Sequence, residues 1–392
     1  MTAALRPVAA ISRLGTETAF DVLARAEAIA ATGREVINLG IGQPDFKTPA
    51  HIVEAAVKAL YDGHHGYTPS PGVPELRRAV VEDIAKYRGV EVSPERVVVV
   101  PGGKVTMFFA ILMFGEPGAE IMYPNPGFPI YESLINFTGA KAVPTPLLEE
   151  NDFSFDADSV LAAITPDTRL LIVNSPANPT GGTVSRREFD RLVAGLEAHP
   201  QVAVLSDEIY SRMTYDEREH VSLVGYKELE DRLILLDGWS KTYAMTGWRI
   251  GYGVWPESLV EAATRLAVNC HSCVNAATQQ AAIAALRGPQ DFVSHMVAAF
   301  DERRHVIVDG LNDIPGVTCR TPGGAFYAFP NISGTGLSSH EMQDRLLEEA
   351  GVATIAGTSF GAYGEGYLRF SYANTVENIR TALSRMRALL SQ

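Results

Sequence analysis

The chain lacks most features that mark secreted, membrane-spanning or disulfide-stabilised proteins. Three cysteines in 392 residues are too few for a disulfide framework. The longest apolar run, residues 107–114, is too short to cross a bilayer. Residues 1–15 have no apolar core followed by a small-residue cleavage site, so no secretory signal is predicted. We therefore expect a cytoplasmic protein that does not insert into a membrane.

Positive charge is also scarce. The chain has 33 Lys and Arg against 46 Asp and Glu, which gives a formal net charge of −13. No basic cluster stands out that could bind a phosphate backbone, so a nucleic-acid partner is not expected. Cys270 and Cys273 flank His271 like half of a zinc site, but no second pair follows downstream, and no metal site is predicted.

The middle of the chain alternates strand-like and helix-like segments. This alternation predicts an α/β fold, in which a mostly parallel sheet is covered by helices on both faces. A helix is predicted over 104–114, and short strands are predicted over 96–100, 120–123, 170–173, 202–205 and 233–236. The segment 174–182 holds two prolines and two glycines, so it is predicted to be a rigid loop after a strand.

The two ends of the chain are predicted to form a smaller α+β domain together. The amino-terminal part has a helical pattern over 17–31 and a short strand at 36–39. The carboxyl-terminal part reads as a long helix at 291–311, followed by a strand, helix, strand and helix at 318–329, 342–350, 367–372 and 376–390. The predicted division is therefore 1–48 and 291–392 for the small domain and 49–290 for the large one.

One lysine lies in a setting suited to covalent cofactor attachment. Lys241 is surrounded by small and apolar residues and is followed by Arg249. A lysine forms a Schiff base only from its neutral amine, and partial burial or a cationic neighbour lowers its pKa. Arg249 is always charged and suits a phosphate. The alternative is a solvated lysine at the end of a strand.

Pyridoxal phosphate would also need an acid beside its ring nitrogen, a stacking ring and a phosphate cup. Asp207 ends the strand predicted at 202–205, and the carboxyl end of such a strand is where α/β sheets hold ligands. Gly102 and Gly103 lie between a strand and a helix, where backbone N–H groups can face a phosphate. Phe128 is a candidate stacking ring. The alternatives are a helix cap, an ordinary tight turn and a core aromatic, respectively.

Arg369 lies inside an otherwise apolar strand. An unpaired guanidinium is costly to bury, so Arg369 should have an anionic partner. A substrate α-carboxylate held by the planar guanidinium would serve, and so would a structural Asp or Glu. Both readings remain open from the sequence.

With these residues in place, the chain resembles the class I aminotransferases among the fold-type I pyridoxal-phosphate enzymes, in particular the aspartate-aminotransferase-like branch. The resemblance covers nearly the whole chain. It rests on motifs at 42–46, 67–69, 76–77, 102–104, 174–181, 206–210, 240–251, 323–327 and 369–373. It implies a large domain with a mostly parallel sheet between helices, and a small α+β domain.

The resemblance implies that pyridoxal phosphate is the cofactor, that Lys241 bonds to it and that Asp207 pairs with its ring nitrogen. Tyr67 would reach the phosphate bound by a neighbouring subunit, which requires a homodimer. The other implied contacts are Gly103, Lys104, Ser240 and Arg249 to the phosphate, Phe128 to the ring face, Asn178 and Tyr210 to the phenolic oxygen, and Arg369, Gly42 and Asn178 to the substrate α-carboxylate.

The implied reaction is a ping-pong transfer of an α-amino group from an L-amino acid to a 2-oxo acid. Lys241 would remove and return protons, and an aspartate, aromatic or alanine-type donor is left open. A β-lyase on the same scaffold is the alternative enzyme, since the same carbanion can lose a β-substituent. A non-catalytic, cofactor-sensing regulator is the alternative from another class.

Some positions depart from the commonest pattern of the resemblance. Gly238 stands where some relatives have a phosphate-binding serine, and Phe128 replaces the usual Trp or Tyr. Glu17 lies near the segment that lines the substrate mouth in relatives. A carboxylate there would disfavour aspartate by like-charge repulsion, although Glu17 also suits the first turn of a helix.

Overall fold

The computed structural model describes residues 5–391. Its strands are β1 Ile37–Asn38, β2 Val97–Val100, β3 Glu120–Asn125, β4 Lys141–Pro146, β5 Thr168–Asn174, β6 Ala203–Asp207, β7 Leu233–Gly238, β8 Gly251–Val254, β9 Tyr327–Ala328, β10 Val352–Ala353, β11 Ile355–Ala356 and β12 Leu368–Ser371. Its helices are α1 Thr18–Ala30, α2 Ala50–Tyr61, α3 Pro74–Arg88, α4 Lys104–Phe114, α5 Ile130–Thr138, α6 Ala157–Ala162, α7 Arg186–Leu196, α8 Trp239–Thr242, α9 Glu257–His271, α10 Ala276–Arg287, α11 Asp291–Asn312, α12 Ser339–Glu348 and α13 Val376–Leu390.

A seven-stranded sheet with the order β2-β8-β7-β6-β5-β3-β4 forms the centre of the large part of the chain. Only β8 runs antiparallel to its two neighbours, and the other pairs are parallel. The predicted mostly parallel α/β sheet is therefore confirmed. The carboxyl ends of parallel strands meet at one edge, and Asp207 pairs in register with Asn174 on one side and Leu236 on the other.

Two strands of this sheet were not predicted. Strand β8 contains Gly251 and Gly253, and because glycine has a low β propensity its sequence does not indicate a strand. Neither position has room for a side chain. A Cβ at Gly251 would lie 2.3 Å from the backbone nitrogen of Gly103, and one at Gly253 would lie 2.6 Å from the side chain of Thr106. Strand β4 contains two prolines, which weaken its strand pattern, and it lies at the edge of the sheet, where prolines are best tolerated.

The ends of the chain meet in two smaller sheets. Strand β1 pairs in parallel with β10, and β12 lies between β11 and β9. The strand predicted over 318–329 was too long: Thr318 makes only an isolated bridge, and regular pairing is confined to Tyr327–Ala328. Pro322, Gly323 and Gly324 interrupt the segment.

None of the helices within residues 5–391 combines the length and the apolarity that crossing a membrane requires. The division into domains at residues 48 and 290 stays a prediction.

Candidate active site

A cavity of about 500 Å³ lies at the carboxyl ends of β5, β6 and β7. It is lined by nearly all the residues that the sequence singled out, namely Gly42, Gly103, Lys104, Phe128, Asn178, Asp207, Tyr210, Ser240, Lys241, Arg249 and Arg369. Tyr67 is the exception, since it is 95% exposed and lies outside this set. A larger open groove of about 700 Å³ around Asp152 and Arg320 contains none of the predicted residues.

Lys241 reaches the cavity from α8, the short helix that directly follows β7. Its ammonium group donates a hydrogen bond to the carbonyl of Gly42 at 2.5 Å. Surrounding protein atoms remove water from the amine and lower the pKa of Lys241 to about 7, with further lowering from nearby Arg369 and Arg249 and an opposing effect of Glu17. A far larger share of these amines is therefore neutral at pH 7 than in an ordinary lysine. The setting does not fit a solvated strand-end lysine.

Asp207 is the last residue of β6 and is buried. One carboxylate oxygen accepts a hydrogen bond from the hydroxyl of Tyr131 at 2.7 Å, and the other accepts one from the backbone of Ile209 at 3.3 Å. Burial raises the pKa of Asp207 to about 6; the two hydrogen bonds oppose this shift, and Asp237 and Glu208 add to it. Both of its hydrogen bonds come from neutral groups, and no helix starts here, so the carboxylate suits a cationic ligand group rather than a cap.

Tyr210 and Asn178 line the same cavity as Lys241 and Asp207. The hydroxyl of Tyr210 is 2.8 Å from that of Tyr327. The side-chain oxygen of Asn178 accepts a hydrogen bond from Arg369 at 2.9 Å, which leaves its amide nitrogen as a donor. The backbone of Asn178 is held by Asn174, whose amide also donates to the carbonyl of Asp207. The loop and the end of β6 are thus tied together.

Arg369 enters the cavity from β12 and is buried. Besides Asn178, its guanidinium donates to the carbonyl of Gly40 at 2.5 Å, so both acceptors are neutral. Among residues 5–391 its buried Nε has no hydrogen-bond partner. Burial lowers the pKa of Arg369, and the rings of Tyr327 and Phe360 lie 4.7 Å from its guanidinium carbon. Of the two readings of Arg369, these contacts favour a ligand carboxylate over a structural one.

The other end of the cavity has the features of an anion site. Helix α4 begins at Lys104 directly after Gly103, and the first N–H groups of a helix have no partner inside it. The guanidinium of Arg249 lies against the preceding turn: a Cβ at Gly102 would be 2.2 Å from its Nη2. Gly102 also has a positive φ of +92°, which favours glycine. Ser240 lines the cavity and is buried.

Close packing between two strands explains why residue 238 is glycine. A Cβ there would lie 2.8 Å from the Cα of Gly251, on the neighbouring strand β8. The backbones of β7 and β8 therefore pack too closely for a serine at this position. Gly42 is similar, because a Cβ there would lie 2.4 Å from the hydroxyl of Tyr327.

No role was predicted from the sequence for Tyr131 or Tyr327, although Tyr131 lies close to the candidate ring Phe128 and Tyr327 belongs to the motif at 323–327. Tyr131 follows Phe128 by three residues, and in the structure the two rings pack edge to face at 5.8 Å while the hydroxyl binds Asp207. The spacing at the start of a helix was the available signal, since it places both side chains on one face. Tyr327 lay beyond such reasoning because its partners come from distant parts of the chain.

The α/β fold brings a lysine with a lowered pKa, a buried acid and two arginines together around one cavity. Residues 34–386 match the family model "Aminotransferase class I and II", and the chain belongs to this family. Members of the family generally depend on pyridoxal phosphate. The predicted aminotransferase activity is thereby confirmed, and the amino donor is left open.

The chain is similar to relatives that are named for different amino donors. It is 40% identical to an aspartate aminotransferase of Pyrococcus horikoshii over 91% of each chain. It is 36% identical to aromatic-amino-acid aminotransferase 2 of Thermococcus litoralis, over 91% of this chain and 92% of the relative. The crystal structure of the aspartate aminotransferase from Rhizobium meliloti superposes with a TM-score of 0.94 at 34% identity, covering 99% of both chains. The predicted fold is confirmed by this similarity.

Proposed function

We propose that the cavity binds pyridoxal 5'-phosphate and that the chain uses it to move an α-amino group between L-amino acids and 2-oxo acids. The observation that carries this proposal is the meeting of Lys241, with a pKa of about 7, and the buried Asp207 in one cavity. A neutral amine and a carboxylate are the two groups that this cofactor requires most.

The residues that line the cavity suit each part of the cofactor ring. Asp207 would pair with the ring nitrogen, and its pKa of about 6 keeps most of it ionised at pH 7. Tyr210 and the amide nitrogen of Asn178 would donate to the phenolic oxygen. Phe128, at the wall of the cavity, would pack on the ring face. When bound, pyridoxal phosphate supplies a carbonyl carbon that bonds to amines and a ring that withdraws electrons from the substrate α-carbon.

The phosphate would bind at the start of α4. Backbone N–H groups of Gly103 and Lys104 would donate to its oxygens in the favourable field of the helix dipole. Arg249 would add a permanent positive charge, held by its hydrogen bond to the carbonyl of Thr246 at 2.8 Å. The hydroxyl of Ser240 would donate a further hydrogen bond.

The substrate would enter with its α-carboxylate on Arg369, whose fork geometry fixes the orientation of the α-carbon. Asn178 and the backbone at Gly42 would border the same carboxylate. The amine of Lys241 would then take the α-proton and deliver it to the cofactor carbon that is bonded to the transferred nitrogen. An amine with a pKa near 7 suits this task because it both accepts and donates a proton at neutral pH. The second oxo acid would use the same groups in reverse order.

We propose that two copies of the chain form a homodimer in which Tyr67 reaches the phosphate site of the partner. Its 95% exposure leaves the side chain available for such a contact. Helix α2 also exposes Val53, Val57, Leu60 and Tyr61, an apolar surface that a second copy would cover.

We also propose a cytoplasmic location, which fits the three free cysteines Cys270, Cys273 and Cys319.

The proposed small domain of 1–48 with 291–392 is supported by the pairing of β1 with β10 and by the packing of α11 on α13. The proposed large domain is 49–290.

A half-reaction test decides the proposed function. Purified protein loaded with pyridoxal phosphate should be mixed with one amino acid at a time, and conversion of its visible absorption band to that of the pyridoxamine form should be recorded. We expect conversion with at least one donor, release of the matching 2-oxo acid and reversal on addition of another oxo acid. Ammonia and pyruvate formed without an acceptor would instead identify a β-lyase. No spectral change with any amino acid would contradict catalysis.

The charges near the cavity mouth indicate the class of donor. Glu17 and Lys104 both line the cavity and form an ion pair, and the ammonium group of Lys104 lies 5.1 Å from the centre of the Phe128 ring. The pair cancels the positive charge that would otherwise attract an acidic substrate side chain. We therefore propose that a donor with a neutral side chain is preferred over aspartate.

Replacing Glu17 with glutamine should shift the preference toward aspartate, because Lys104 would become free to bind a second carboxylate. We expect the ratio of kcat/KM for aspartate over phenylalanine to rise on the order of tenfold, equivalent to about 1.4 kcal/mol. Lysine and alanine should be measured alongside. Glu27→Gln, at an exposed position on helix α1, which begins directly after Glu17, is the matched control. An unchanged ratio would remove Glu17 from donor selection.

A further inference from the structure

A buried ionic cluster lies behind the cavity, on the far side of the strand ends that carry Asp207 and lead to Lys241. Its centre is Arg88, the last residue of α3, whose side chain is only 3% exposed. The guanidinium donates to Glu208 at 3.0 Å through Nε and to Asp237 at 2.5 Å through Nη2. One side chain thus binds two buried carboxylates, one directly after β6 and one within β7.

Each of these carboxylates is the close chain neighbour of a proposed site residue. Glu208 directly follows Asp207 at the end of β6. Asp237 lies near the end of β7, and its second oxygen accepts a hydrogen bond at 2.7 Å from the backbone of Gly238, which leads into the helix of Lys241. Arg88 therefore joins the two strand ends from which the acid and the lysine of the cavity project.

The rest of the cluster holds the two carboxylates without adding a second permanent charge. Glu208 accepts hydrogen bonds from Ser206 at 2.9 Å and Ser222 at 2.8 Å, and His220 lies 2.9 Å from its other oxygen. Asp237 accepts one from Ser211 at 3.1 Å. These are neutral or titratable partners, so Arg88 is the fixed positive charge in this group of contacts.

The charge balance around Arg88 extends to the cavity. Burial raises the pKa of Glu208, but Arg88 and His220 outweigh it and bring the value down to about 2. At Asp237 burial prevails and the pKa is raised, with Arg88 opposing the shift. Both carboxylates also raise the pKa of Asp207. Without the guanidinium, two acids beside Asp207 would lose their counter-charge in a buried site.

We infer that Arg88 is a positioning residue for cofactor binding and catalysis, because its charge offsets the repulsion between Glu208 and Asp237 and so keeps the carboxyl ends of β6 and β7, and with them Asp207 relative to Lys241, in place. The inference rests on the proposed use of pyridoxal phosphate. A guanidinium suits the task because its donors point in different directions within one plane, whereas a lysine would act as a single point charge on one of the two acids.

The test compares Arg88→Gln with the double variant Arg88→Gln/Asp237→Asn. The single change leaves two buried carboxylates with one fixed cation fewer, and we expect a dissociation constant for pyridoxal phosphate at least about tenfold higher, an altered visible circular dichroism of the bound cofactor and a kcat at least about tenfold lower. The second change removes one of the carboxylate charges, and we expect it to recover most of the cofactor affinity and of the dichroism signal.

Arg88→Lys should give an intermediate cofactor affinity, and it replaces Arg88→Gln in the same comparison should the glutamine variant not fold. The control is Arg25→Gln, since Arg25 also binds two carboxylates, Asp344 and Glu348, but at the surface and away from the cavity. It should leave cofactor affinity and kcat unchanged.

The outcomes separate the two proposals. Absence of cofactor binding and of amino transfer in the unaltered protein would overturn the proposed function. An unaltered protein that binds the cofactor, together with Arg88 variants that match Arg25→Gln or are not rescued by Asp237→Asn, would overturn the role of Arg88.

Discussion

Replacing Lys241 with alanine should abolish multiple turnover, lowering kcat by more than about 10⁴-fold. The reason is that one amine has two tasks in the proposed reaction, to hold the cofactor covalently and to move the substrate proton. Its position in the cavity and its pKa of about 7 make it suitable for both. Steady-state rates of 2-oxo acid formation with the preferred donor measure the effect.

The matched control is Lys227→Ala, because Lys227 is exposed and does not line the cavity. It should retain full activity. Borohydride reduction of the cofactor-loaded protein, followed by peptide mapping, should place the label on the peptide that contains Lys241. A label on another lysine, or sustained turnover by Lys241→Ala, would contradict the assignment.

Replacing Asp207 with asparagine should lower kcat by roughly 10²- to 10³-fold, the size seen when one preorganised electrostatic contact at a reacting group is removed. The amide keeps the shape of the side chain and accepts the hydrogen bond from Tyr131, but it carries no charge to hold the ring nitrogen protonated. Single-turnover rates with one donor measure the loss. Asp231→Asn, at an exposed aspartate just before β7, should show no loss.

Asp207 should also make the affinity for the cofactor depend on pH. In the protein without cofactor the pKa of Asp207 is raised to about 6, so the carboxylate is ionised above this pH and protonates below it. A protonated acid cannot pair with a protonated ring nitrogen, and affinity for pyridoxal phosphate should fall as the pH drops through 6. In Asp207→Asn this component of the pH profile should disappear; its persistence would assign it to another group.

The strands that the sequence predicted correctly are those buried on both faces. Val97–Val100 and Leu233–Leu236 are continuous apolar runs, because a strand that is buried on both faces has no polar face. Strand β8 escaped prediction because close backbone packing, and not propensity, selects Gly251 and Gly253. Helix α12 begins three residues before its predicted start, at the capping box of Ser338 and Glu341.

The candidate site was predictable where one residue type is demanded by the chemistry, as for Lys241, Asp207 and Arg369. Contacts between distant segments were not. No periodicity connects Gly42 to Lys241 or Gly40 to Arg369, and the hydrogen bonds between them form only when segments far apart in the sequence meet. Arg88 was missed for the same reason, since its two acids lie 120 and 149 positions further along.

The pairing of β1 with β10 has a consequence for how the protein is made. Ile37 finds its partner at Val352, so β1 emerges from the ribosome long before the segment it binds. At translation rates of about 5–20 residues per second, the wait is roughly 15–60 seconds. Arg369 follows later still. A nascent chain can therefore build the central sheet early, but Arg369 is added only near the close of synthesis, and the amino-terminal strand stays unpaired until Val352 has been made.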